Sequence, residues 1–297
     1  MIIIFVVSAF LTFACLYLLY RDLYVSVMGM FLYTLMPYRI YIIFDKKDMG
    51  LTVAYTLLPI LFFCYQKLLR KNVWAGVVFF TLIVLMLEVI GYFDTTFLIL
   101  LCCALILCGT ISKHWSLVTF SVFSVVLSVP LKLDYWRFLL LGHNNEFAVS
   151  LSTIAVNGYE IGDYFMSWLY REGRPGLGFG FLISIMLSSY LYLCTERRND
   201  GIQCNGMFVS AIILMIFSFR WGMWDIVARV HPIIFRFISL MDSPGVLFGI
   251  GTAILSFPLA VSWVNYMSDD TYRSYSRKAA FCTVVISVAA AVNMIRV

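Results

Sequence analysis

The chain consists largely of apolar runs that are as long as a membrane-spanning helix and contain no charged residue. The first is Met1–Tyr20, and similar runs follow one another along the sequence. A helix needs about 20 mostly apolar residues to cross a bilayer. Only 12% of the 297 residues are charged and 62% are hydrophobic, whereas a soluble domain carries about 25% charged residues to cover its surface. The sequence therefore predicts an all-α integral membrane protein.

The number of these runs predicts a polytopic transmembrane helical bundle of about ten spans. We expect residues 1–297 to form a single transmembrane domain, in which 132–174 is the one large loop outside the membrane. The charge-free runs are Met1–Tyr20, Leu23–Tyr38, Met49–Gln66, Asn72–Leu87, Thr95–Ser112, Trp115–Leu131, Pro175–Thr195, Gly201–Phe219, Ser243–Ser268 and Ala279–Ile295.

Basic residues orient these spans, because cytoplasmic loops carry an excess of Lys and Arg. Even numbers of spans separate three basic clusters, so all three are predicted on one face, which we assign as cytoplasmic. Both termini, the 39–48 turn and the 132–174 loop then lie outside. The formal charge of +5 reflects this topology, and no nucleic-acid partner is predicted. The clusters are Lys67, Arg70 and Lys71; Arg197 and Arg198; and Arg273, Arg277 and Lys278.

The most informative polar segment follows Pro37 at the outer end of the second run. Tyr38 and Arg39 come directly after this proline, which stops or kinks a helix, and a turn with charges of both signs follows at Asp45, Lys46 and Asp48. An arginine presented there could grip a lipid phosphate with two parallel hydrogen bonds. The alternative is a local pair between Arg39 and an aspartate, with a snorkelling side chain.

The segment LYTLMPYRIYIIFDKKDMGLTVAYTLL at 32–58, which continues with Pro59-Ile60-Leu61, resembles a family of bacterial multi-span proteins with the pattern LY-x-x-x-PYRL-x-x-x-Y-x-R-x-A-x-GE-x-x-A-x-x-F-x-PL. That family is labelled 6-pyruvoyl-tetrahydropterin synthase-related membrane proteins and belongs with the GT-C class of membrane glycosyltransferases. Val129–Tyr135 and Met241–Leu247 resemble two further family segments. The residues that match the first pattern are Tyr33, Pro37, Tyr38, Arg39, Gly50, Ala54 and Pro59.

The resemblance implies a GT-C-like protein that uses a lipid-phosphate-linked sugar at the outer face of the bacterial plasma membrane, in assembly of envelope polysaccharide or glycolipid. Asp94, Asp134 and Arg137 would join Tyr38, Arg39, Asp45, Lys46 and Asp48 around the substrate. A divalent metal is implied only by family analogy, the cofactor is otherwise unknown, and no catalytic residue can be assigned. Membrane lipids and the lipid-linked sugar are the expected partners.

The chain also departs from the family pattern. The family's Gly-Glu is Gly50-Leu51 here, and Asp94-Thr95-Thr96 stands where a histidine is expected. The acidic outer loop that opens most GT-C proteins has no counterpart before Met1, so we expect a chain lacking its catalytic front, which a partner chain could supply. Two other classes stay open: a polysaccharide polymerase or ligase, and a non-enzymatic transporter of lipid-linked glycans.

Overall fold

A computed structural model of the chain describes residues 2–69, 72–91, 94–141, 182, 186, 199–219, 233, 236–237 and 245–267. This part of the chain is helical and contains no β-strand, which confirms the predicted all-α class for it. Every predicted run that falls within these residues is helical, although the second is broken between Thr34 and Pro37. The runs at 175–195 and 279–295, and the loop beyond residue 141, lie outside the described residues.

The described helices follow one another with short connections. Because no more than a few residues link most neighbours, packed helices that are consecutive in the chain run antiparallel. A five-residue π-helical turn, Ile42–Lys46, continues directly from α3. The helices are α1 (Ile2–Tyr20), α2 (Leu23–Thr34), α3 (Pro37–Tyr41), α4 (Met49–Leu69), α5 (Val73–Val89), α6 (Thr95–Ile111), α7 (Trp115–Leu131), α8 (Leu133–Leu141), α9 (Asn199–Phe217) and α10 (Gly245–Met267).

Polar residues at the connections determine where these helices begin and end. The side chains of Asp22 and Asn72 accept hydrogen bonds from backbone N–H groups at the starts of α2 and α5, as residues at the N-cap position commonly do. Arg21, Lys47 and Lys113 have positive φ angles of 56°, 52° and 58°. Each follows a helical segment, where a left-handed residue stops the helix and a basic side chain suits the C-terminal dipole.

One continuous core joins the helices. α1 packs on α2 and α4, α4 on α5, α5 and α6 on α7, and α10 on both α2 and α9, while α9 also packs on α6. Tyr55 and Phe62 of α4 and Phe248 and Ile254 of α10 are buried in this core. The helices α2, α4 and α10 therefore surround the middle of the bundle.

Helix α7 is polar on its buried side and apolar on its exposed side. Ser121, Ser124 and Ser128 are buried, whereas Phe123 and Val126 are 56% and 57% exposed. A helix surrounded by water would have the reverse arrangement, while in a bilayer small polar residues turn toward other helices. This distribution, like the composition, is that of a membrane protein.

The number of spans that the described helices support is smaller than the predicted ten. By length and composition, two of them, Ile2–Tyr20 and Met49–Leu69, can cross a membrane. The count rises to four if two bent pairs, Leu23–Thr34 with Pro37–Phe44 and Trp115–Leu131 with Leu133–Leu141, each form one span. The helices α5 and α6 have 17 residues each, which at about 1.5 Å per residue is shorter than a hydrocarbon core of about 30 Å.

The two ends of the bundle differ in charge. The connections around Asp48, Asp94 and Lys132 meet at one end, which we call the site end: Lys46 contacts Asp94 at 3.7 Å, and Lys132 Nζ donates to the carbonyl of Ile90 at 2.9 Å. The other connections, which carry Arg21, Lys67 and Lys113, lie at the opposite end, because the antiparallel helices alternate. Lys67 and Lys113, both predicted from the sequence on the cytoplasmic face, therefore lie at the end of the bundle opposite the site end.

Candidate functional site

The site is organised by a break in the second apolar run. α2 ends at Thr34, α3 begins with Pro37 as its first residue, and the two segments meet at an angle of 53°. Proline is favourable at the first position of a helix, since its missing N–H is not needed there. The predicted stop or kink of the helix at Pro37 is confirmed by this bend. Arg39 itself does not lie at a turn, because Pro37 starts a new helix that contains it.

Arg39 is completely buried, with 0% of its surface exposed, and is the largest fully buried side chain described. Two aromatic rings pack against the planar guanidinium: its central carbon is 5.2 Å from the ring centre of Phe5 in α1 and 5.2 Å from that of Tyr33 in α2. Both distances are within the range of a cation–π contact. Nη1 donates to the carbonyl oxygen of Thr34 at 3.4 Å.

The other two nitrogens of Arg39, Nε and Nη2, have no hydrogen-bond partner among the residues that the structure describes. They form one edge of the guanidinium, the fork that binds carboxylate and phosphate oxygens in pairs. No ion pair joins Arg39 to a carboxylate within the described side chains. A local pair with Asp48, one form of the alternative, is absent, since Asp48 contacts Lys46 instead.

Tyr38, the other residue of the motif, packs inside the bundle. Its ring contacts those of Tyr41 and Tyr55 at centroid distances of 6.1 and 6.3 Å. It also lies against Gly249 of α10, where an added Cβ would be 2.2 Å from a ring carbon of Tyr38. Only glycine permits this approach, so Tyr38 holds α3 against α10 and thereby positions its neighbour Arg39.

Lys46, Asp48 and Asp94 are brought together at the site end. The ammonium group of Lys46 lies 3.7 Å from a carboxylate oxygen of each aspartate. The second oxygen of Asp48 accepts from the N–H of Leu51 at 3.0 Å and begins α4. The backbone of Asp45 belongs to the π-helical turn, but its side chain is outside what the structure describes. This cluster joins α3, α4 and α6, and it lies about 10 Å along the helix from Arg39.

Asp134 and Arg137 do not join the buried site. They form an ion pair at 3.8 Å on α8, with 87% and 69% of their side chains exposed. α8 bends by 93° from α7, so it crosses the site end. Its inward residue is Tyr135, whose hydroxyl hydrogen-bonds to that of Thr96 at 3.1 Å.

The sequence interpretation missed the contribution of α1. Phe5 covers one face of Arg39, and Ser8, one turn further along, is fully buried. A signal was present, because Ser8, Thr12 and Cys15 recur every three or four residues in an otherwise apolar run, and all three are buried. Such small polar residues mark the side of a membrane helix that faces its neighbours.

No protein-family description, no curated protein and no solved structure matches this chain. The resemblance to GT-C-like proteins therefore stays a prediction. Function has to be inferred from the chemistry around Arg39.

Proposed function

We propose that this chain is a multi-pass protein of the bacterial plasma membrane, with about ten spans, that binds the phosphate of a lipid-linked sugar at Arg39. Its role would be that of a GT-C-like, glycosyltransferase-related protein in assembly of envelope polysaccharide or glycolipid. One observation supports this above all others: a fully buried guanidinium whose Nε and Nη2 atoms have no partner among the described residues.

The surroundings of Arg39 favour a tetrahedral oxyanion that lies in the plane of the guanidinium. The rings of Phe5 and Tyr33 pack against the guanidinium, and the carbonyl of Thr34 accepts a hydrogen bond from Nη1. The remaining edge offers two parallel N–H donors, which match two phosphate oxygens. A buried cation that is only partly hydrogen-bonded is costly, so an anion that accepts from Nε and Nη2 would stabilise the protein.

The apolar exterior favours a phosphate that arrives on a lipid. Ile2, Val6 and Phe10 of α1, the helix that covers Arg39, are 71%, 59% and 67% exposed. Ionisable residues inside a membrane protein are rare and commonly mark a substrate site. Arg39 lies about 10 Å from the π-helical end, a depth at which the phosphate of a membrane lipid can reach it from the side. From the sequence, the basic clusters are predicted on the cytoplasmic face, and this end, which holds the 39–48 turn, on the outer face.

The described residues support binding of the donor lipid better than they support the chemical step. Among them, no group of three His, Cys, Asp or Glu side chains could hold a metal ion. Asp48 and Asp94 both contact the ammonium group of Lys46, which repels a divalent cation. The metal suggested by family analogy does not fit this cluster. A base for glycosyl transfer would have to come from elsewhere, such as a partner chain.

A second candidate is a non-enzymatic transporter of lipid-linked glycans. The break between α2 and α3 favours it, because discontinuous helices often form the substrate sites of transporters. The glycosyltransferase and the transporter would share the phosphate site, but only the enzyme would transfer the sugar. Proteoliposomes loaded with a fluorescent polyprenyl-phosphate sugar would show movement across the bilayer for the transporter, and transfer of the sugar for the enzyme.

The binding test uses protein purified in dodecyl maltoside, which contains no phosphate, with a farnesyl-phosphate-linked hexose as the probe. We expect Arg39→Gln to weaken binding about 10-fold or more, since hydrogen bonds to charged groups contribute about 1.5–3 kcal/mol each. Lys67→Gln removes the same charge at the opposite end and should leave the dissociation constant unchanged. Equal affinity of Arg39→Gln and the wild type would rule out Arg39 as the phosphate site.

A further inference from the structure

A second buried polar group without a partner lies at the level of Arg39. Ser8 of α1 is 0% exposed, and its hydroxyl has no hydrogen-bond partner among the described residues. Its backbone carbonyl is in use, because it accepts from the hydroxyl of Thr12 at 2.8 Å. Most buried hydroxyls are hydrogen-bonded, so one that has no partner among the described residues requires an explanation.

The antiparallel packing of α1 on α2 and α3 fixes where Ser8 lies. Gly29 packs against Leu16, and Arg39 packs against Phe5. Between these two contacts, each step forward along α1 corresponds to a step back along α2 and α3. Ser8 is therefore level with residues 36–37, at the break and within about one helical turn of Arg39.

Ser8 and Phe5 share the buried face of α1. They are three residues apart, a spacing that puts two side chains on the same face of a helix. The ring of Phe5 covers Arg39 and also contacts that of Phe44 in the π-helical turn, at 6.2 Å between centroids. α1 thus provides a ring over the guanidinium and, one turn deeper, a hydroxyl.

We propose that α1 forms the second wall of the phosphate site, and that the Ser8 hydroxyl donates a hydrogen bond to a phosphate oxygen held by Nε and Nη2 of Arg39. This inference rests on the proposed phosphate-binding function. It adds a third donor on another helix, so ligand binding would tie α1 to the break between α2 and α3. A lipid-borne phosphate enters this site from the side of α1, whose outer surface is apolar.

The test is the affinity of Ser8→Ala for farnesyl phosphate in dodecyl maltoside. We expect a 3- to 10-fold loss, the usual effect of removing one neutral donor. Ser121→Ala is the matched control, because Ser121 is also a buried serine whose hydroxyl has no partner among the described residues, and it lies on α7. Thr12→Val is a second control on the same face of α1. Both should bind farnesyl phosphate like the wild type.

Further measurements separate the outcomes. Ser8→Ala should melt at the same temperature as the wild type or slightly higher without ligand, since it loses a hydroxyl that makes no hydrogen bond; this excludes misfolding as the cause of weaker binding. The wild type and Ser8→Ala should bind farnesol, which has no phosphate, with equal affinity. If the site accepts phosphate without a lipid, the ratio of the two dissociation constants for inorganic phosphate should equal the ratio for farnesyl phosphate.

Wild-type affinity in Ser8→Ala, together with weak binding by Arg39→Gln, would overturn the role of Ser8 and leave the proposed function standing. Failure of the wild type to bind farnesyl phosphate would overturn both.

Discussion

Replacing Arg39 with methionine should stabilise the ligand-free protein while abolishing phosphate binding. Methionine has a similar length and no polar atom that requires a partner. The substitution removes two buried donors that lack hydrogen bonds, each of which costs about 1–3 kcal/mol. It also removes cation–π contacts with Phe5 and Tyr33, which contribute about 0.5–2 kcal/mol each.

These opposing contributions give a net stabilisation of about 1–2 kcal/mol in the free energy of unfolding. The hydrogen bond from Nη1 to Thr34 is 3.4 Å long and therefore weak, and the methionine sulfur regains part of the contact with the rings. Replacing paired buried charges with well-packed apolar residues of similar volume is often neutral or stabilising by about 1–4 kcal/mol, and the same direction is expected for an arginine whose Nε and Nη2 lack partners among the described residues.

The assay is unfolding by sodium dodecyl sulfate in dodecyl maltoside micelles, with and without farnesyl phosphate. At a ligand concentration about 100 times the dissociation constant, the wild type should gain about 2.7 kcal/mol and Arg39→Met nothing, so the order of stability reverses. Arg137→Met is the control: its side chain is 69% exposed on α8, and the change should stay within about 0.5 kcal/mol. A less stable Arg39→Met in the absence of ligand would refute the reasoning, because it would show that the guanidinium is already satisfied.

Four further substitutions test how the site and the helices around it are held. Gly249→Ala should lower the free energy of unfolding by about 1–3 kcal/mol through overpacking, despite the better helix propensity of alanine, because the new methyl group overlaps the ring of Tyr38; an unchanged denaturation midpoint would contradict the close approach. Tyr135→Phe and Thr96→Val should each lose about 0.5–1.5 kcal/mol and be non-additive in a double-mutant cycle, since their hydroxyls bond to each other. Arg236→Ala should lower the free energy of unfolding by about 1–2 kcal/mol and speed hydrogen exchange in α8, because its Nη1 donates to two carbonyls near the end of that helix at 3.2 and 2.9 Å; equal exchange would exclude this cap.

The helices could be predicted from the sequence because the solvent of this protein is apolar. In such a solvent, a run without charges is itself the signal for a helix, and α1, α6 and α7 follow the runs at their positions to within a residue or two. The length of a span is a weaker prediction. A helix of 17 residues such as α6 is near the lower limit for crossing a bilayer, and composition alone does not decide whether it crosses.

The site was harder to predict because it depends on the angles between helices and on how neighbouring helices are aligned, which the sequence does not specify. Pro37 can end a helix or begin one, and the observed 53° bend decides whether Arg39 is exposed or buried. Asp134 belongs to a segment that resembles the family, but the bend after α7 turns it outward and leaves Tyr135 inside. The contact between Phe5 and Arg39 depends on how two antiparallel helices are aligned, which no local pattern specifies.

The break in the second run explains how an arginine can be buried in so apolar a bundle. In a continuous helix, the carbonyl of Thr34 would accept the N–H of residue 38; here α2 ends at Thr34, and its carbonyl accepts Nη1 of Arg39 instead. That contact places a cation at the C-terminus of α2, where the helix dipole favours it. With Nη1 bonded to Thr34, the Nε and Nη2 edge has no partner among the described residues, and it is there that we propose phosphate binds. Pro37, which need not touch any ligand, is therefore as necessary to the proposed site as Arg39.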